Sequence, residues 1–255
     1  MDISIGDLEL FLLVLVRILS MVMLMPMFGY PGIPRQAKIG LGVCLSLLLF
    51  PIVQEEKIEL PSEVLSFFLV VGKEVVVGLV IGFATALLFT GIQLSGQLVG
   101  MQMGFGLANV IDPQSGMQVS IIAQFEYLVA ILMFLVIDGH HFLLRALKAS
   151  FERIPIAGVH LSGAVAWEIL RITAWVFVVA IKIGAPMIAA LFLTKVALGI
   201  VARTVPQMNV FIVGFPLNIG IGLLSIALSL PLFAYVFKWL FREMQENVLL
   251  LLRLL

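Results

Sequence analysis

The chain has 255 residues, of which 62% are hydrophobic and 12% charged, with a mean hydropathy of +1.19. Soluble domains carry about 25% charged residues, so the solvent that this composition suits is lipid or other protein. Fifteen Lys and Arg balance fifteen Asp and Glu, which excludes the basic excess that binds phosphate backbones, so nucleic acid is not an expected partner.

Six apolar stretches follow in order: Leu8 to Met27, Ile39 to Val53, Val64 to Phe89, Ile121 to Ile137, Trp167 to Ala202 and Val210 to Phe237. Lipid offers no hydrogen-bond partner to a bare backbone, and the alternation of a membrane strand is absent, so these stretches are predicted to be helices of one all-α membrane domain covering 1–255. The first run holds Arg17 at its centre and lacks a small-residue cleavage motif, so it is expected to stay in the mature protein rather than act as a signal peptide. Cys44, the single cysteine, can form no internal disulfide and reads as a small buried hydrophobe.

Lengths fit simple spans poorly: Ile39 to Val53 is shorter than the roughly 20 residues that cross a bilayer core, and Trp167 to Ala202 is longer. Pro186, Pro216 and Pro231 interrupt the last two runs and predict kinked helices, hairpins, and more helices than apolar runs.

In Val64 to Phe89, seventeen Leu, Ile, Val and Phe residues favour insertion by roughly 0.3–0.6 kcal/mol each, against about 2.5–3.5 for each of Lys73 and Glu74 at midplane depth. The two sums nearly cancel. Arg17, Glu126, Lys182 and Lys195 raise the same difficulty elsewhere, and all are expected to face protein or water rather than lipid. Arg145, Lys148, Arg153, Lys238, Arg242 and Arg253 weakly favour cytoplasmic termini if each run spans once.

Small residues recur every four positions at Gly78, Gly82, Ala86 and Thr90, and again at Gly96, Gly100 and Gly104. Each set lines one helix face, where backbones can approach closely, either within the chain or between subunits.

Gln93 to Ser120 is the most unusual segment: one charge, Asp112, with Gln93, Gln97, Gln102, Asn109, Gln114 and Gln118, five glycines and three methionines. Gln93 and Gln97 lie one helical turn apart, and Asp112-Pro113 followed by Gly116 is a turn signal. This composition predicts a helix running into a nearly uncharged loop at a protein-lined cavity. Gln93, Gln97, Met101 and Met103 are its pore-facing candidates: amides wet a cavity without fixing an ion, and Met repacks around varied partners. A structural loop buried against a partner would satisfy the same composition.

Catalytic constellations are missing, and no cofactor is expected. On a helix, adjacent His140 and His141 point about 100° apart, and with His160 they offer no metal-ligand spacing. Lys73, Glu74, Glu126 and Lys195 are the groups from which a secondary transporter would build a proton relay, but no repeated halves accompany them.

Two long motifs carry a resemblance. Gly104-Phe-Gly-Leu-Ala-Asn-Val-Ile-Asp-Pro-Gln-Ser-Gly116 resembles the central loop of the FliR family of flagellar export proteins, and Ala202-Arg-Thr-Val-Pro-Gln-Met-Asn-Val-Phe-Ile-Val-Gly-Phe-Pro216 resembles its C-terminal signature. The Asp138-Gly139-His140-His141 turn fits too, with Asp138 where asparagine is expected, and the similarity runs from Arg17 to about Phe237. It implies a noncatalytic subunit of a type III export gate in the bacterial inner membrane, at the flagellar basal body, assembled with FliP and FliQ, with FlhB on its cytoplasmic side. The corresponding virulence-system subunit shares this fold. Unfolded flagellar subunits would pass through the gate. The loop at about 104–119, with Gly104, Phe105, Gly106, Leu107, Asn109, Asp112, Pro113, Gln114, Gly116 and Met117, is implied to help plug it. Gly78, Gly82, Gly96, Gly100, Pro206, Gln207 and Asn209 are the candidates for subunit packing.

Overall fold

A computed structural model of the chain describes residues 5–28, 32–54, 63–105, 120–160, 162–207 and 209–255. Among these, seven helices and no strand occur: α1 Ile5–Leu24, α2 Arg35–Gln54, α3 Val64–Met103, α4 Ile121–Val136, α5 Gly139–Arg153, α6 Gly163–Thr204 and α7 Val210–Leu254. By length and composition α2, α3, α6 and α7 can each cross a membrane, and α4 with α5 would count as a fifth, broken span. The protein is an all-α membrane protein.

Seven described helices against six apolar runs agree with the expected excess of helices, but the prolines do not divide one. α6 and α7 run unbroken through Pro186, Pro216 and Pro231 for 42 and 45 residues. A proline removes one backbone bond, and neighbouring turns inside a long apolar helix can absorb that loss. The break falls instead at Asp138, a non-glycine residue in the left-handed conformation (φ 57, ψ 34), whose carbonyl accepts from the His141 N–H at 3.0 Å as α5 begins. Hydropathy alone missed α5. Its Phe142, Leu143, Ala146, Leu147 and Phe151 are buried at helical spacing, with Arg145, Lys148 and Glu152 between them. Cys44 is exposed rather than buried, on the face of α2 turned away from its neighbours.

The helices sort into two compact units. The first holds Met1–Leu87, Asp138–Thr173 and Arg242–Leu255. In it α2 lies on α1, with the Phe11 and Phe50 rings edge to face at 5.8 Å. Leu13, Val14, Ile18, Val77, Ile81, Leu143, Leu147 and Val248 form its buried core.

The second unit holds Leu88–Ile137 and Ala174–Phe241, and a cluster of phenylalanine rings sits within its mainly aliphatic core. Phe89 meets Phe134 at 5.6 Å and Phe237 at 6.4 Å, and Phe134 meets Phe241 at 5.7 Å, all edge to face. Such offset geometries let the quadrupoles attract. Gly91 lets α3 approach α6 here, since a Cβ on it would lie 2.6 Å from Cβ of Val179.

Candidate functional site at the base of the central loop

α3 ends by a local mechanism. Gly104 takes φ +100, its N–H donates to the Met101 carbonyl at 3.1 Å, and the Phe105 N–H reaches back to the Gly100 carbonyl at 3.1 Å. These paired bonds close a helix around one left-handed residue, which favours glycine. A side chain there would also meet the Phe215 ring of α7, 2.9 Å from a Cβ.

α4 begins beside that end. A Cβ on Gly96 would lie 2.7 Å from the Ala123 nitrogen, and one on Gly100 would meet Ser120, whose hydroxyl donates to the Gly96 carbonyl at 3.4 Å. The last turns of α3 and Ser120, at the start of α4, therefore lie side by side. Gly106, Leu107, Asn109, Asp112, Pro113, Gln114, Gly116 and Met117 lie outside the described residues.

On the last turns of α3, Gln97 and Met101 are exposed and Gln93 is half-buried. Met103 is a correction: it is fully buried and packs over Gly222 of α7, 2.6 Å from a Cβ placed there, so its flexible thioether fills the core. Sequence reasoning singled out Gln102 and Lys195 separately and missed their pairing: the Gln102 side-chain oxygen accepts a hydrogen bond from the Lys195 ammonium of α6. Phe215, Gly222 and Lys195 are about a hundred residues from α3 in sequence, and no local pattern announces them.

The glycine stripes use their close approach within the chain. Gly78 and Gly82 seat α3 on α1: a Cβ on Gly78 would collide with Ser20 and the Arg17 carbonyl, and one on Gly82 would lie 2.8 Å from the Met21 carbonyl. Gly96 and Gly100 do the same for α4. Pro206, Gln207 and Asn209 are exposed between α6 and α7. Asn209 caps α7, its Oδ1 accepting the Ile212 N–H at 3.3 Å.

Each suspected intramembrane charge has its own setting. In the first unit, Arg17 and Glu74 are fully buried and paired at 2.5 Å. Arg17 Nη1 also donates to the Ser150 and Ile154 carbonyls at 3.0 and 3.1 Å, and the Phe151 ring lies 4.3 Å from the guanidinium. Glu74 accepts the Ala157 N–H, and Lys73 donates to the Ala157 carbonyl, both at 3.1 Å, which holds Ala157 left-handed at φ 68. In the second unit Glu126 is buried beside Ser95, and neither its oxygens nor the Ser95 hydroxyl makes a hydrogen bond of normal geometry. No ion pair joins Glu126 to Lys195 among the described residues, and Lys182 and Lys195 are both exposed.

At the start of α5 the structure brings together ligating atoms that the sequence reading kept apart. One atom each from Asp138, His140 and His141 lies within 4.8 Å of the others, with the two rings 4.2 Å apart. His141 Nδ1 is already engaged with Asp138 at 3.1 Å. A helix N-terminus also repels cations.

Among the described residues these parts amount to helix packing, paired charges and a closed helix end. A model of the bacterial export proteins, family 1, matches residues 8–244. The chain belongs to this export family. It is 35% identical to the flagellar biosynthetic protein FliR of Bacillus subtilis over 94% of this chain and 95% of that one. The FliR proteins of Pectobacterium carotovorum and Escherichia coli are 32% and 27% identical, over 89% and 92% of this chain and 87% and 90% of theirs. Membership of the export family makes the chain an export-apparatus component rather than an enzyme, working among protein partners.

Proposed function

We propose that the chain is a noncatalytic core subunit of the flagellar type III export gate in the inner membrane at the basal body. With FliP and FliQ it forms the channel for unfolded flagellar subunits, and FlhB attaches on the cytoplasmic side. The 104–119 loop acts as a plug within the single membrane domain. Likeness to the FliR proteins supports the assignment.

One observation carries the plug role. Gly100 on the last turns of α3 packs against Ser120 at the start of α4, and the 14 residues of sequence between Phe105 and Ser120 hold a single charge. A segment between two packed helix ends can move aside without unravelling either helix. Low charge lets it sit at membrane depth under protein cover. Cargo would displace it, and the driving energy would come from elsewhere in the export machine.

The test is the ion conductance of the purified complex with FliP and FliQ in planar bilayers. Replacing residues 108–117 with a short Gly-Ser linker should raise the closed-state conductance. Conductance equal to wild type in an intact complex would remove the plug role.

A further inference from the structure

We infer that the face of α6 and α7 around Lys182 docks a partner subunit's membrane helix that carries an aspartate or glutamate at mid-depth. This rests on the reading of the chain as a gate subunit.

Between Arg171 and Lys195 run 23 residues whose only charge is Lys182. They form roughly 35 Å of helix, close to the ~30 Å of a hydrocarbon core. Lys182 sits at the middle, roughly 16 Å from Arg171 and 20 Å from Lys195 at 1.5 Å per residue, too deep for snorkelling to carry its ammonium to an interface. The charges at the two ends both have polar partners: Arg171 binds Glu168 and Asn247, and Lys195 binds Gln102.

Lys182 has none of this kind among the described residues. Its ammonium stands 3.5 Å over the Trp239 ring, both residues being exposed, and that contact holds the cation in place without neutralising it. The surrounding surface is mostly apolar: Val178 and Ala185 are exposed a turn away on α6, and Pro186, Leu232 and Val236 line the shallow cleft beside it together with Ser229, whose hydroxyl is spent on the Ile226 carbonyl of its own helix. A wall built for water would carry more polar groups. A single fixed cation in a greasy face, at the depth where charges pair across helices, matches a helix with one carboxylate.

The test co-expresses the chain with FliP and FliQ from the same genome and purifies the complex in mild detergent. Lys182→Met should cut recovery of the complex at least tenfold, while the isolated variant stays monodisperse and melts no lower than wild type. Lys182→Arg should retain more than half the recovery. In the wild-type complex on a Cys44→Ser background, Ala185→Cys should resist a charged, water-soluble thiol reagent. Full recovery with Lys182→Met, or rapid labelling at position 185, overturns the docking face and leaves the gate reading standing. Failure of the wild-type chain to assemble with FliP and FliQ overturns both.

Discussion

The Arg17–Glu74 pair offers the sharpest quantitative test of the first unit. Both groups are fully buried, so removing one strands the other in a medium that cannot solvate it. Breaking a buried pair this way costs about 3–5 kcal/mol. Glu74→Ala also strips the Ala157 N–H of its acceptor, whereas Arg17→Ala strips the Ser150 and Ile154 carbonyls of a donor. At about 2–4 °C per kcal/mol for a chain of this size, each single variant should lower the apparent melting temperature in detergent by roughly 6–20 °C. The double variant Arg17→Met/Glu74→Leu leaves no stranded charge and fills the volume, so it should recover most of that loss. Arg17→Met and Glu74→Leu measured alone, beside wild type and the double variant, by melting followed by size-exclusion chromatography, close a double-mutant cycle. If either single variant costs less than about 1 kcal/mol, or the double variant loses the sum of the two, the pair does not hold α1 against α3 as described.

Gly104→Ala should destabilise the chain by about 1–2 kcal/mol through its left-handed backbone and further through the Phe215 contact, and Gly104→Asn by less; equal melting of the two would remove the backbone argument. Gly96→Val should cost about 1–3 kcal/mol by forcing α4 off α3, read as a fall in melting temperature, and an unchanged value would place the α3–α4 contact elsewhere. Glu126→Met removes a buried carboxylate without a hydrogen bond, so it should leave the isolated chain as stable or more so. Swarming of cells carrying that variant separates two roles: motility lost while the complex with FliP and FliQ stays intact would favour proton-coupled transport over a passive gate.

The amino-acid sequence by itself determined the solvent and the helical class. Residues too apolar for water and a backbone that lipid cannot satisfy leave helices as the spanning solution, and α1 to α4, α6 and α7 each grew from an apolar run visible in advance. The same local logic singled out Gln93 to Ser120 as a segment with one charge, and the family resemblance placed its loop at about 104–119. Composition missed α5 because its stripe of Phe142, Leu143, Ala146, Leu147 and Phe151 is interleaved with charges, and averaging erases a one-sided pattern. Only the tertiary structure decided which partner each polar group found. Arg17 and Lys182 look alike in sequence, single cations within apolar helices, yet one is sealed against Glu74 and the other faces outward over Trp239. Gly78 and Gly96 likewise mark faces for close packing, and the neighbours that took them, α1 and α4, follow from how distant segments pack. Spacing along one helix fixes direction but says nothing of which distant helix comes to meet it.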